Sequence, residues 1–437
     1  MNRQQHSQEA PLPTAIPSIV TPTGQAFPVF SGYGIEMEFM IVDRDSLDVR
    51  PLTDELLKAA TGHYGTDAPR GEMGWSNELA LHVFEIKNQR PQAGLGYLAA
   101  AFQAEIRAAN SLLEQFNARL MPSAMHPWMD PAREGRLWQR EPADLYATYD
   151  RIFDCHRHGW VNIQSVHVNL PFANDLEFAR LHTAARLVLP ILPALAASSP
   201  FAEGRFTGFM DYRMEVYRTH QMRVPSTMGE VIPDNVSSRS DYETLVLQPM
   251  YREMAAQDPE GLLLHEWLNA RAAIPRFDRN ALEIRVLDVQ ECPQADFAIA
   301  AAATALIRRF YSAGAAWLDR EAKIPTRELA AILRACIRDA EQAVIDNPDY
   351  LGLLGLERRP TQAREVWARL LNDMTADGEI SQEWLAPLRL ILEYGPLSRR
   401  ILDAVGRDSS RERLEAVYRD LCQCLQEGRM YLGRPLS

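Results

Sequence analysis

"SGYGIEMEFMIVD" at residues 31–43 places Glu36 and Glu38 two apart in an otherwise apolar run. A strand sends side chains at i and i+2 to the same face, so these carboxylates stand side by side while Ile35, Met37 and Phe39 point the other way. Like charges at that spacing repel unless solvent, a cation or a bound metal lies over them. The spacing alone leaves these three open.

Two other segments share the pattern. "QSVHVNLPF" at 164–172 puts His167 and Asn169 on one face, with Val166, Val168 and Leu170 opposite. "NALEIRVLDVQ" at 280–290 does the same with Glu283 and Arg285 against Leu282, Ile284 and Val286. Each strand would pack its apolar face on a core and present acids, an imidazole or a guanidinium on the other. "GWSNELALHVFEIKNQRP" at 74–91 is less regular, because Glu78 and Glu85 lie seven apart and an unbroken strand would send them to opposite faces. A bulge, or Glu78 in the loop before the strand, reconciles them. For any one segment, a solvated sheet face is the commoner explanation. Together, five glutamates and a histidine match the ligand preference of a hard divalent cation such as Mg²⁺ or Mn²⁺.

The rest of the chain sets the frame. Its 437 residues suffice for a large core, and 46% hydrophobic with 24% charged residues is ordinary for a soluble protein. A formal net charge of −12 argues against nonspecific binding to nucleic acid or anionic lipid. Five scattered cysteines read as reduced thiols rather than a disulfide framework. No signal-peptide pattern opens the chain, and the apolar "FAIAAAATALI" at 297–307 is too short to span a bilayer, so a cytoplasmic location is expected. Residues 1–28 read as a flexible tail, and 29–437 as a single catalytic domain whose part from about 320 is helical. In the last helix, Leu414, Val417, Tyr418, Leu421 and Leu425 recur at helical spacing and Gly428 is a natural stop. Strands and helices mix without regular βαβ units, which predicts an α+β fold with an antiparallel sheet.

Five blocks, "GIEMEF", "SNELALHVFEIK", "SVHVNLPF", "SSPFAEGRFTGFMDYRMEVYRT" and "ALEIRVLD", occur in an order that resembles the glutamate–cysteine ligase superfamily. The likeness is to its bacterial carboxylate–amine ligase branch and runs from about residue 31 to the C-terminus. It implies a curved antiparallel sheet of glutamine-synthetase type, covered by helices. It further implies an ATP-dependent ligase using Mg²⁺ or Mn²⁺ to join a glutamate-like carboxylate to an amine through an acyl phosphate, and homodimers are common among relatives. Carried over by position, Glu36, Glu38, Glu78, Glu85, His167 and Glu283 are metal ligands. Arg285 contacts the transferred phosphoryl group, Arg205 and Arg213 take phosphate or substrate roles, and Asn169 and Arg285 serve the nucleotide. The chain has no GxxxxGK[ST] loop and no strand–GxGxxG–helix unit, so phosphates would be held by metal and arginine.

"DCHRHGW" at 154–160 offers Cys155, His156 and His158 as a zinc set but lacks a second cluster, and reads better as a helix end near the site's mouth. Cys422 and Cys424 read as partly buried thiols and Cys292 as structural. Trp75, Trp128 and Trp160 suit either a pocket wall or the core. A metal-independent glycoside hydrolase could also use paired carboxylates, and a non-catalytic nucleotide- or amino-acid-binding relative is the third alternative.

Overall fold

The computed structural model describes residues 26–433 except 315, 318, 319, 321, 322 and 408. Most of the tail expected over residues 1–28 therefore lies outside the described residues. The chain forms β1 (Gly34–Asp43), β2 (Asp67–Arg70), β3 (Met73–Asn77), β4 (Val83–Asn88), β5 (Ala118–Met121), β6 (Ser165–Pro171), β7 (Phe201–Ala202), β8 (Arg205–Phe206), β9 (Ala273–Arg276) and β10 (Ala281–Asp288). Eight of these build an open, curved, antiparallel sheet in the order β2-β3-β4-β1-β6-β10-β9, with β5 also on β1. β7 and β8 form a separate small hairpin.

β1 is the spine because both its edges are used. Residues Glu36 to Met40 pair with β4 on one side. On the other, Gly34–Met37 pair with β6 and Met40–Asp43 with β5. Ile35, Met37, Phe39 and Ile41 enter the main core, as their alternation requires. The opposite face changes character along its length: after Glu36 and Glu38 come Met40 and Val42, which are fully buried in a second apolar cluster with Leu414, Val417 and Tyr418 of the last helix. The C-terminal helix thus closes over one end of the sheet and leaves the acidic end uncovered by apolar packing.

Behind the sheet lie α1 (Leu95–Leu113), α2 (Asp175–Val188) and α3 (Pro293–Ser312). Leu98, Phe102 and Ile106 of α1 carry its core stripe. α3 contains the run read as too short for a bilayer; its alanines pack on both α1 and α2, so it is buried on nearly all sides. Among the described residues no helix is long and apolar enough to cross a membrane.

From Thr326 onward helices dominate, interrupted by one pair of two-residue strands at Val344–Ile345 and Thr361–Gln362. The last helix, Arg411–Glu427, begins with the Ser410 side chain accepting from the Arg413 N–H and ends at Gly428. Gly428 has φ of 77°, a left-handed value natural to glycine at a helix end. Cys422 and Cys424 are fully buried, more so than the sequence suggested, and all five cysteines are free.

His182 on α2 is buried between Phe178 and Tyr242, and neither ring nitrogen has a hydrogen-bond partner among the described residues. Burial holds its pKa down at about 3, against about 6.5 in an unfolded chain. A base with a depressed folded pKa contributes stability that is full above the unfolded value and lost as pH falls toward the folded one. His182→Leu should therefore gain on the parent protein by about 1.4 kcal/mol per pH unit on acidification below about pH 6. Denaturant melts at pH 7, 6 and 5 check the slope; a difference independent of pH would show that folding leaves the His182 pKa unshifted.

Candidate active site

The sheet's register sets the acids in rows. Across one row, Lys87 of β4, Glu36 of β1 and His167 of β6 are neighbours. Across the next, Ser76 of β3, Glu85 of β4 and Glu38 of β1 align. Asn169 of β6 pairs with both Gly34 and Glu283. Glu78 lies outside a strand, in the connection between β3 and β4, so the loop alternative reconciles it with Glu85.

One oxygen from each of Glu38, Glu78 and Glu85 lies within 4.8 Å of the other two. Neighbours pin several of these carboxylates in place. Ser165 donates from its N–H and Oγ to Glu38 Oε2 at 2.7 and 3.0 Å. Ser76 Oγ donates to Glu85 Oε1 at 2.6 Å. Burial, then repulsion from Glu85 and Glu38, holds the Glu78 carboxyl well above the usual range. Burial also raises Glu85, against the pull of Lys87. Crowded carboxylates this costly to ionise suit a divalent cation, whose charge removes the penalty.

Glu36, His167 and Glu283 form a second group with bases already in place. His167 donates from Nδ1 to Glu36 Oε2, and its Nε2 is hydrogen-bonded to Ser165 Oγ, both at 2.9 Å. Although burial opposes it, the Glu36 hydrogen bond and the charges of Glu38 and Glu283 raise its pKa, favouring the imidazolium. Asn169 Nδ2 donates to Glu36 Oε1 at 3.3 Å, so it orients that acid from beneath the cavity. Arg285 grips Glu283 Oε1 from Nε and Nη2 at 3.0 and 2.6 Å, and Arg276 reaches its Oε2 at 3.2 Å. Despite burial, Arg285, His167 and Arg276 hold Glu283 far below the usual carboxylate range.

These groups line a cavity of about 280 Å³. Arg213 is buried beneath it, paired with Asp288 and donating to the Arg285 carbonyl. Asp288 faces the site only because of a bulge: the register passes from Ile284–Val168 to Leu287–Val166, three steps on β10 against two on β6. The extra residue changes the parity of the strand, so Asp288 joins the face of Glu283 and Arg285. Arg205 is elsewhere, exposed on the β7–β8 hairpin and paired with Glu203 at 3.0 Å, away from the residues lining the cavity.

Trp160 aside, the sequence reading did not single out the aromatic wall, nor three cations. The wall is aromatic: Tyr146 and Tyr149, one turn apart on the helix Ala143–Phe153, with Trp160, Tyr217, His220 and Trp267. Tyr217 Oη receives a hydrogen bond from Arg285 at 3.4 Å. Of the tryptophans considered, Trp160 lines the cavity, Trp75 is in the core and Trp128 packs against Tyr418. The missed cations are Lys87, Arg276 and Arg279. The zinc-like cluster lies at a helix end as expected: Cys155 is in the core, and His156 and His158 border a neighbouring hollow sharing Trp160 and His220 with the cavity.

The sequence profile of glutamate–cysteine ligase family 2 matches residues 33–420. The chain belongs to this family. A protein of Archaeoglobus fulgidus, described only as uncharacterized, is 31% identical over 399 residues, covering 91% of this chain and 100% of its own length. A Bradyrhizobium protein provisionally named glutamate–cysteine ligase 2 is 28% identical over 410 residues, covering 89% of this chain and 86% of its own. One from Rubrobacter xylanophilus, similarly named, is 28% identical over 188 residues, 42% of this chain and 47% of its own. The acidic strands of this ligase-family member lie inside the matched span.

A carboxyl whose folded pKa is raised contributes stability at low pH that is lost as pH rises through the folded value. Replacing Glu78 by Gln removes that loss. Relative to the parent in chelator, Glu78→Gln should gain up to about 1.4 kcal/mol per pH unit above pH 4.5, until the parent's carboxyl ionises. Thermal melts between pH 5 and 8 check it, and a flat difference refutes the crowding.

Proposed function

We propose that the protein is an ATP-dependent carboxylate–amine ligase, acting on the γ-carboxyl of glutamate or a close analogue. The observation that carries this reading is the convergence of Glu38, Glu78 and Glu85 on one point of a cavity that also holds Arg285, Arg276 and Arg279. A free carboxylate is a poor acyl donor because its leaving group would be oxide. Phosphoryl transfer from ATP gives an acyl phosphate, which an amine can attack. Both partners of the first step are anions, so the site must offset their charge.

The acids fit a divalent metal: hard oxygen donors, mutually repelling, with Ser76 and Ser165 fixing two of them. Glu38, Glu78 and Glu85 would hold one ion, and Glu36, His167 and Glu283 are the candidates for further ions once their present partners yield. Bound Mg²⁺ or Mn²⁺ would neutralise phosphate charge and polarise the transferring group. The side chains supply the rest. Arg285, fixed by Glu283 and Tyr217, presents a guanidinium to a phosphoryl oxygen. Arg213 supports the Arg285 backbone from below and acts by positioning. The aromatic wall excludes water, which would otherwise hydrolyse the activated acyl group. Asn169 acts through Glu36, and Arg205 would serve substrate only if its hairpin borders a larger bound ligand.

Incubation with ATP, Mg²⁺, glutamate and a panel of amines should release ADP, and chelator should abolish the release. No ADP above background from folded, metal-loaded protein would overturn the reading. Hydrolysis of a glycoside that persists in chelator would favour the paired-carboxylate glycosidase instead. Glu38→Gln should lower turnover on the order of 100-fold while its far-UV circular dichroism stays unchanged.

A further inference from the structure

Lys87 is a lysine where a solvated one is not expected. It lies on β4 two residues after Glu85, so both side chains rise from the same face. Its side chain is 3% exposed, and its Nζ stands 3.1 Å from Glu85 Oε1 and 3.6 Å from Asp67 Oδ1. Across the strand pair it faces Glu36, and on its other side the register partner is Gly74, which offers no side chain to cover it. Despite these charges, the ammonium has no well-formed hydrogen bond among the described residues. It is held chiefly by its ion pair with Glu85, buried in the wall of the acidic cavity.

A buried ammonium without good hydrogen bonds is costly and persists only where strong negative potential offsets its desolvation. Here that potential comes from the acids that a divalent ion would need. Resting on the metal-binding reading above, we propose that Lys87 is a placeholder for a divalent cation: its ammonium balances the acid floor in the metal-free chain and opposes the ion's entry. Glu85 stays oriented without it, because Ser76 Oγ holds the same Oε1. Removing the lysine charge therefore releases a competitor without releasing the ligand. Metal affinity and metal-free stability are then set against each other by one side chain.

The test uses Lys87→Met, which keeps the stem and removes the charge, and Lys87→Arg, which keeps the charge. The probe is Mn²⁺ alone, followed by titration calorimetry, with thermal melts in chelator and in saturating Mn²⁺. Lys87→Met should melt below the parent in chelator, bind Mn²⁺ about tenfold or more tightly, and recover most of its lost melting temperature when saturated. Lys87→Arg should stay near the parent in both. Lys87→Met that melts lower by the same amount with and without Mn²⁺, at unchanged or weaker affinity, overturns the proposal. Should Lys87→Met not fold in chelator, refolding in Mn²⁺ decides: recovery supports the proposal, and failure there too refutes it. No Mn²⁺ binding by the parent would instead defeat the metal reading itself, with or without ligase activity.

Discussion

Everything in the site follows from crowding carboxylates on one sheet face inside a protein. Eight ionisable side chains of β1, β4, β6 and β10 share that face, and all but the flanking imidazole, lysine and guanidinium are acids. Coulomb repulsion at such separations is worth several kcal/mol at an effective dielectric constant of about 20, comparable to the whole stability of a domain. The fold meets this constraint in two ways. Around Glu36 and Glu283 it supplies internal bases, His167, Arg276 and Arg285. Around Glu38, Glu78 and Glu85 the neutral donors are the Ser76 and Ser165 hydroxyls and the Ser165 N–H, with Lys87 as the nearby cation, so the imbalance remains where a cation would be needed.

The same division explains the rest of the architecture. The apolar face of β1 is anchored in the main core, and the strand's far end is locked under the last helix through Met40 and Val42. Repelling charges at the near end therefore cannot pull the sheet apart. The aromatic wall then raises the strength of every charge below it by excluding water.

Local periodicity made much of this legible. Period-two alternation identified β1, β6 and β10 and the face each presents, because register on a half-buried strand is fixed by its apolar side. Helical spacing and Gly428 identified the last helix for the same reason. The acids were legible as a set because their chemistry is shared. Three kinds of feature were not. Lys87 reads as a solvated strand lysine, although its position two after Glu85 in the apolar "VFEIKN" was an available signal. Arg276 and Arg279 sit at a strand end and in a turn, where no period applies. Arg205 shares its block with Arg213, yet chain proximity says nothing about burial: one is exposed and the other sealed. The aromatic wall draws on segments far apart in the chain, a convergence that only tertiary structure reveals.

The extra residue in β10 reverses the strand's parity between Ile284 and Leu287. Upstream of it, odd positions share the face of the acidic cavity; downstream, even ones take that face. It works as a phase shifter, reversing the sense in which the sequence is read within one strand. A one-residue deletion there would turn Asp288 into the apolar layer and strip the buried guanidinium of its counter-ion. The spacing between Glu283 and Asp288 is therefore part of what keeps the Arg213–Asp288 pair together.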